Sequence, residues 1–298
     1  MLTSSSLTFL KRLLDSPGPS GYETAAARAW RAEAQTFADI VRSDVAGNSI
    51  AEVNPDGSPT IMLDGHIDEI GLIVQYIDDD GYLYVSPIGG WDPEVLAGQR
   101  IRFLAAGGDV LGVVGKKPIH LMKPADRDKA SKLTDFWVDI GAGNRAEAEA
   151  RIAVGDAGVI DSRTLDFPND RVVSRSIDDR IGAFTVLEKK EIGDHKLGSG
   201  PVLVRGSLIS PVVFDLLRDA ARSAGIPYTV HAEGRTTSTN ADAIHLARDG
   251  VATALVSIPN RYMHSPNEMV SLVDVEHAAA LIAEACRGVD ARTDFTAR

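Results

Sequence analysis

An α/β protein with a second, β-rich domain set into it is the fold class that this sequence predicts. Three observations carry the prediction. Apolar strand-like runs alternate with amphipathic helical patterns in residues 1–71 and again in 167–298, as they do in a layered α/β domain. Between them, residues 72–166 hold short β-like runs punctuated by Gly and Pro, with one helical pattern at 145–152, as a small β module would. The 298 residues, 44% hydrophobic and 24% charged, suffice to bury one large core or two modest ones.

The elements follow in order. Leu7, Leu10, Leu13 and Leu14 recur at helical spacing, so the chain opens on an amphipathic helix. Pro17-Gly18-Pro19-Ser20-Gly21 stops it. The Ala-rich stretch 23–37 reads as a second helix, and 44–53 as a strand pair or strand–turn. Asn54-Pro55-Asp56-Gly57 is a turn signal. The apolar run 60–64 fits a buried strand. The insert's strands are expected at 72–77, 82–86, 100–104, 110–114, 136–140 and 159–160. From Ser174 the strand–turn–helix pattern resumes, with helices at 209–223, 241–248 and 273–288 and strands at 227–232 and 251–258. No internal repeat or low-complexity segment is present.

Charge and cysteine usage exclude several functions. Lys plus Arg number 31 against 42 Asp plus Glu, a net charge of −11, which disfavours nucleic-acid binding but not metal binding. The single cysteine, Cys286, rules out a disulfide framework and a Cys-rich zinc module. It lies in an Ala-rich helical pattern and reads as a packed core thiol. The basic pair Lys11-Arg12 follows a short apolar stretch, the reverse of a secretory signal. No run approaches the ~20 apolar residues of a membrane span. A cytoplasmic protein without a membrane partner is expected.

Three constellations could carry chemistry. In His66-Ile67-Asp68 residues two apart share one face of a strand, so Asp68 could orient a metal-binding imidazole through its second ring nitrogen. A surface His beside a surface carboxylate is the plainer alternative. Ser176-Ile177-Asp178-Asp179-Arg180-Ile181-Gly182 places two carboxylates at the start of a helix, where they either cap it or face a metal pair. His264 follows an apolar strand in the Pro-bounded loop 258–268, a suitable place for a ligand. Together these N/O donors suit zinc, cobalt or manganese.

Those motifs, with Pro19-Ser20-Gly21-Tyr22-Glu23, Gly47-Asn48, Leu197-Gly198-Ser199-Gly200-Pro201 and Ser257-Ile258-Pro259-Asn260-Arg261-Tyr262-Met263-His264-Ser265-Pro266, identify a resemblance that runs almost end to end. The sequence resembles the tetrahedral dodecameric metallo-aminopeptidases, the glutamyl/leucyl aminopeptidase-like family formerly labelled cellulases or endoglucanases. The resemblance implies a three-layer α/β/α zinc-peptidase-like catalytic domain, residues 1–71 and 167–298. It implies an inserted PDZ-like or β-barrel oligomerisation domain, residues 72–166. Two divalent ions (Zn, Co or Mn) would be bound per subunit, one by His66, one by His264, with Asp178 bridging them and Asp68 orienting His66. A water bridging the ions, deprotonated by a glutamate, would attack the first peptide carbonyl and release N-terminal amino acids from short peptides. The partners implied are those peptides and identical subunits, assembled as a dodecamer built from dimers.

The sequence also departs from the family. The Glu-Glu-x-Gly motif that supplies the base and a ligand is not found, nor is a later Asp ligand. The helix beginning at Gly182 runs to Glu188, and the charged loop 189–196 preceding the Leu-Gly-x-Gly-Pro motif arrives at once. Glu191-Ile192-Gly193 echoes the motif's second half with Lys190 in the base's place, but reads better as an ordinary charged loop. The expectation is that a strand–connection–strand segment is omitted near 184–190. If it is truly deleted, the alternative is a non-catalytic scaffold or regulatory subunit. A glycoside hydrolase would instead need two carboxylates flanking a sugar cleft. Asn240 stands where the family often has Asp, and Asp242 reads as a cap for the helix that follows.

Overall fold

The computed structural model describes residues 2–181 and 195–296. Helix α1 (Ser4–Asp15) starts at Thr3, whose hydroxyl accepts the Ser6 amide at 3.1 Å, and buries Leu13 and Leu14. Helix α2 (Thr24–Ala34) buries Ala26, Ala27 and Ala34. Strands β1 (Ile40–Ser43) and β2 (Ser49–Glu52) form an antiparallel hairpin; the stretch 44–53 read as a strand pair or strand–turn holds the turn and the second strand, and the first strand lies wholly before it.

Next comes a closed barrel. β3 (Gly71–Ile77), β4 (Leu83–Ile88), β5 (Arg100–Ala105) and β6 (Gly108–Lys116) are followed by a short helix α3 (Pro124–Arg127). Then come β7 (Phe136–Asp139), helix α4 (Arg145–Glu149) and β8 (Ala157–Ile160). The strands close in the order β3-β4-β7-β6-β5-β8. Strict alternation explains it: Val110 and Val114 of β6 face inward while Leu111 and Val113 face out. Phe103 and Phe136 fill the interior with Leu72, Val74 and Val138. Fully burying each such side chain contributes about 1.5–3 kcal/mol.

β9 (Leu165–Phe167), at the expected end of the insert, pairs with β10 (Arg171–Ser174). A short, irregular helix α5 (Ile177–Arg180) follows β10. β11 (Val202–Gly206) leads into α6 (Pro211–Ala224), which has all its expected punctuation. Ser210 is its N-cap, Pro211 opens it, and Gly225 ends it at φ 65°. Phe214, Leu217 and Ala221 form its buried stripe. β12 (Thr229–Glu233), α7 (Ala241–Ile244), β13 (Val256–Ser257), β14 (Asn260–Arg261), β15 (Glu268–Ser271) and α8 (Leu272–Arg287) complete the described chain. One sheet has the order β12-β11-β13, the other β14-β15-β10-β9. Leu14, Val172, Leu203, Phe214 and Leu281 join α1, both sheets, α6 and α8 in a second core.

Residues 60–64 are a correction: they form no strand, and Ile61, Met62 and Leu63 are 44%, 61% and 68% exposed. An apolar run becomes a buried strand only when neighbours satisfy its backbone, and no described strand pairs with it. The strand expected at 251–258 is likewise reduced to Val256–Ser257.

The Leu-Gly-x-Gly-Pro motif serves packing. Asp274, fully buried in the first turn of α8, accepts the amides of Gly198 at 2.6 Å and Gly200 at 2.8 Å. Gly200 has φ 87°, and a Cβ there would meet the Pro227 carbonyl oxygen at 2.0 Å. Gly200→Ala is therefore expected to cost on the order of 3 kcal/mol, read as a lower urea midpoint. An unchanged midpoint would contradict this placement.

Candidate active site

Three separated segments converge on one carboxylate. His66 lies in the loop before β3, Asp178 in the irregular α5, and His264 in the loop between β14 and β15. Antiparallel pairing of β10 with β15 sets Ser174 opposite Glu268, so the segments following one and preceding the other meet. His66 Nε2 lies 3.4 Å from Asp178 Oδ1, and His264 Nε2 lies 3.2 Å from Asp178 Oδ2. The other ring nitrogen of His66, Nδ1, is 2.9 Å from Asp68 Oδ1, and Ser20 donates its hydroxyl proton to Asp68. The four residues singled out in the sequence are thus brought together. Asp178 does not serve as a plain cap: its carboxylate addresses the imidazoles.

The electrostatics follow from this contact. Burial would raise the Asp178 carboxyl, but the two imidazoles on its oxygens hold it well below the usual carboxylate range. Burial would lower His66, yet Asp178 and Asp68 outweigh it and push the ring up to about 10. The hydrogen bond to Asp178 raises His264 against its own desolvation. His66 lowers Asp68.

These residues line a cavity of about 490 Å³. Glu233, Thr237 and the buried His231 line it as well. Among the described residues, neither His231 ring nitrogen has a hydrogen-bond partner. Asp242, expected as a helix cap, instead closes the preceding loop by accepting from the Thr237 amide and hydroxyl and the Ser238 amide. Asn240 donates to Asp64 at 2.9 Å. Cys286 lies in α8, partly buried, and burial raises its thiol.

Two features were not singled out in the sequence. Glu268, 2% exposed, accepts the Asp178 amide at 2.9 Å and the His264 amide at 2.8 Å. Its only sequence signal is a carboxylate four residues after His264. The second is the buried cluster Glu69–Arg175–Arg180. Glu69 Oε1 lies 3.0 Å from Arg180 Nη2, and Oε2 lies 2.9 Å from Arg175 Nε. Glu188, Lys190 and Glu191 lie outside the described residues.

The donor set fits divalent ions. Two imidazoles address opposite oxygens of one carboxylate, and one of them is oriented by a second carboxylate, the arrangement that supports metal-binding histidines. Among the described residues no three His, Cys, Asp or Glu side chains surround a single point. His66 and His264 address different oxygens of Asp178, so an ion held between either imidazole and its oxygen would have those two described donors. A catalytic zinc ordinarily takes three protein ligands.

The raised groups set a pH dependence for the metal-free protein. Glu268 is pushed up to about 8, chiefly by burial. A raised group contributes stability in full below its ordinary value and loses it as pH climbs through its folded value. That window runs from 4.5 to about 8 for Glu268 and from 6.5 to about 10 for His66. The urea midpoint of the metal-free protein should therefore fall steadily from pH 6 to 10. A flat or rising profile would contradict these contacts.

The M42 glutamyl aminopeptidase family model matches residues 47–192 and 185–281, two stretches that overlap at 185–192. A lysyl aminopeptidase of Pyrococcus furiosus is 32% identical over 327 aligned positions, covering 91% of this chain and 94% of that protein. Since 91% of 298 residues is about 271, about 56 aligned positions face a gap in this chain. The crystal structure of a TET aminopeptidase from the marine sediment archaeon Thaumarchaeota archaeon SCGC AB-539-E09 superposes with a TM-score of 0.90. It is 28% identical, with 98% of this chain and 99% of that one covered. The Pyrococcus horikoshii TET1 peptidase, which can assemble into a tetrahedron or a large octahedral shell, gives 0.83 at 27% identity, covering 94% and 98%. Matched by the family model over most of its length and by a named aminopeptidase over 91% of its residues, the chain belongs to the M42 glutamyl aminopeptidase family, whose members are metal-dependent.

Proposed function

We propose that this protein releases N-terminal amino acids from short peptides in the cavity holding His66, Asp178 and His264, with two divalent ions bound there. The single observation that carries the reading is the placement of His66 and His264 on opposite oxygens of Asp178. His66 and Asp178 would hold one ion, and His264 and Asp178 the other. Zinc, cobalt or manganese would suit these donors. Ions bound there would polarise a peptide carbonyl and lower the pKa of water. The chain's own part is to orient: Asp68 fixes the tautomer and plane of His66, and the cavity admits the peptide end.

The third ligand of each ion and the general base are proposed to lie on the strand–connection–strand segment expected to be omitted near 184–190. The overlap of the two family matches at 185–192 and the gapped positions support this. So do the exposed run Ile61–Met62–Leu63, paired with no described strand, and the His231 ring, without a hydrogen-bond partner among the described residues, since a strand laid there would cover the one and offer partners to the other.

Residues 1–71 and 167–298 are proposed as an α/β/α catalytic domain and 72–166 as an insert that drives assembly. The TET relatives and the outward Leu111 and Val113 of the barrel favour a homo-oligomer, with the dodecamer built from dimers as the proposed form. A cytoplasmic location is proposed with it; no described helix is long and apolar enough to cross a membrane.

The test is hydrolysis of unblocked and N-acetylated short peptides, with and without chelator. Cleavage of unblocked peptides alone, lost to chelator and restored by zinc or cobalt, is expected. Cleavage insensitive to chelator would overturn the reading.

A further inference from the structure

Asp178 and His264 meet at their side chains, and Glu268 joins them again at their backbones. Its Oε2 accepts the Asp178 amide and its Oε1 the His264 amide, at 2.9 and 2.8 Å. The circuit closes through the 3.2 Å contact between His264 Nε2 and Asp178 Oδ2. The two oxygens of one carboxylate are a fixed distance apart, so the two amides are held in fixed register. The loop needs holding: Tyr262 and His264 have φ 61° and 58°, conformations that cost about 1–3 kcal/mol each in residues other than glycine. Glu268 is itself fixed, 2% exposed at the start of β15 and opposite Ser174 in the ladder.

We propose that Glu268 is a positioning residue, a buried clamp that sets the Asp178 carboxylate against the His264 imidazole and thereby sets the site's affinity for divalent ions. The inference rests on the metal-site reading above. A glutamine in its place keeps the shape but has one acceptor. Its NH₂ would face an amide donor, and one of the two backbone segments would be released.

The experiment is zinc titration of the full protein against a chromophoric chelator, alongside thermal unfolding in EDTA. Glu268→Gln should weaken zinc binding by about 10–100-fold, the range for an outer-shell partner, and should alter the visible spectrum of the cobalt-loaded protein. A purely structural role would lower the unfolding temperature and leave the affinity and the cobalt spectrum of the folded protein unchanged. That result overturns the inference while leaving the metal site standing. Failure of the wild-type protein to bind zinc overturns the metal-site reading and the inference with it, and is seen before any variant is made. Should the variant not fold, amide exchange in the zinc-free wild type decides. The Asp178 and His264 amides should exchange slowly and at similar rates, and rapid exchange at either contradicts the clamp.

Discussion

Asp178→Ala is expected to abolish zinc binding and lower peptide hydrolysis on the order of 10³-fold, beyond the roughly 10–100-fold typical of an outer-shell partner. The reason is that one side chain serves both imidazoles. Without it His66 and His264 lose their common partner, 3.4 and 3.2 Å away, and neither of the proposed ions would keep a described carboxylate. The His66 ring, now pushed up to about 10 against its own desolvation by Asp178 and Asp68, should fall toward its ordinary value but stay above it, because Asp68 remains. The variant should still fold, since Asp178 belongs to neither apolar core. Isothermal titration with zinc and a proton-NMR titration of the imidazoles check both statements. A variant that still binds zinc as tightly as the wild type would remove Asp178 from the site.

Arg180→Met is expected to have the largest effect on stability, about 3–5 kcal/mol, or a fall in thermal midpoint of about 10 °C. The Arg180 side chain is wholly inaccessible. It donates to Glu69 at 3.0 Å, to the Ile67 carbonyl at 2.7 Å, to the Leu13 carbonyl at 3.1 Å and to the Ser16 carbonyl. Methionine fills much of the volume but satisfies none of these acceptors, and buried acceptors left without donors are costly. Among the described residues, Glu69 would keep only Arg175 as its cation. The consequence reaches the site, because Ile67 sits between His66 and Asp68, and Arg180 lies two residues past Asp178. Zinc affinity should fall together with stability. A variant as stable as the wild type would show that the cluster is incidental.

Much of the site was legible because its residues announce themselves locally. His66 and Asp68 stand two apart beside an apolar run, and they do meet. Asp178 and His264 were readable as candidates, but their contact depends on β10 pairing with β15, which spacing alone does not specify. Glu268 escaped notice because a carboxylate four residues after a histidine is common. Its role exists only once the backbone of Asp178, 90 residues away, folds onto it. The barrel was legible from alternation, since inward Val110 and Val114 and outward Leu111 and Val113 are a strand's period. Residues 60–64 misled for the opposite reason. Their composition suits a buried strand, but a strand's existence depends on its neighbours, and none is paired with this one among the described residues. Asp242 was misread by position: its carboxylate gathers the loop before the helix instead of capping it.

Native mass spectrometry of the purified protein reads chain mass, bound ions and subunit number together, and is the most direct test of a two-ion aminopeptidase site completed by a further segment. The account predicts a chain several kDa heavier than 31.8 kDa, two divalent ions per chain and a homo-oligomer. A chain of 31.8 kDa carrying no ion would contradict it.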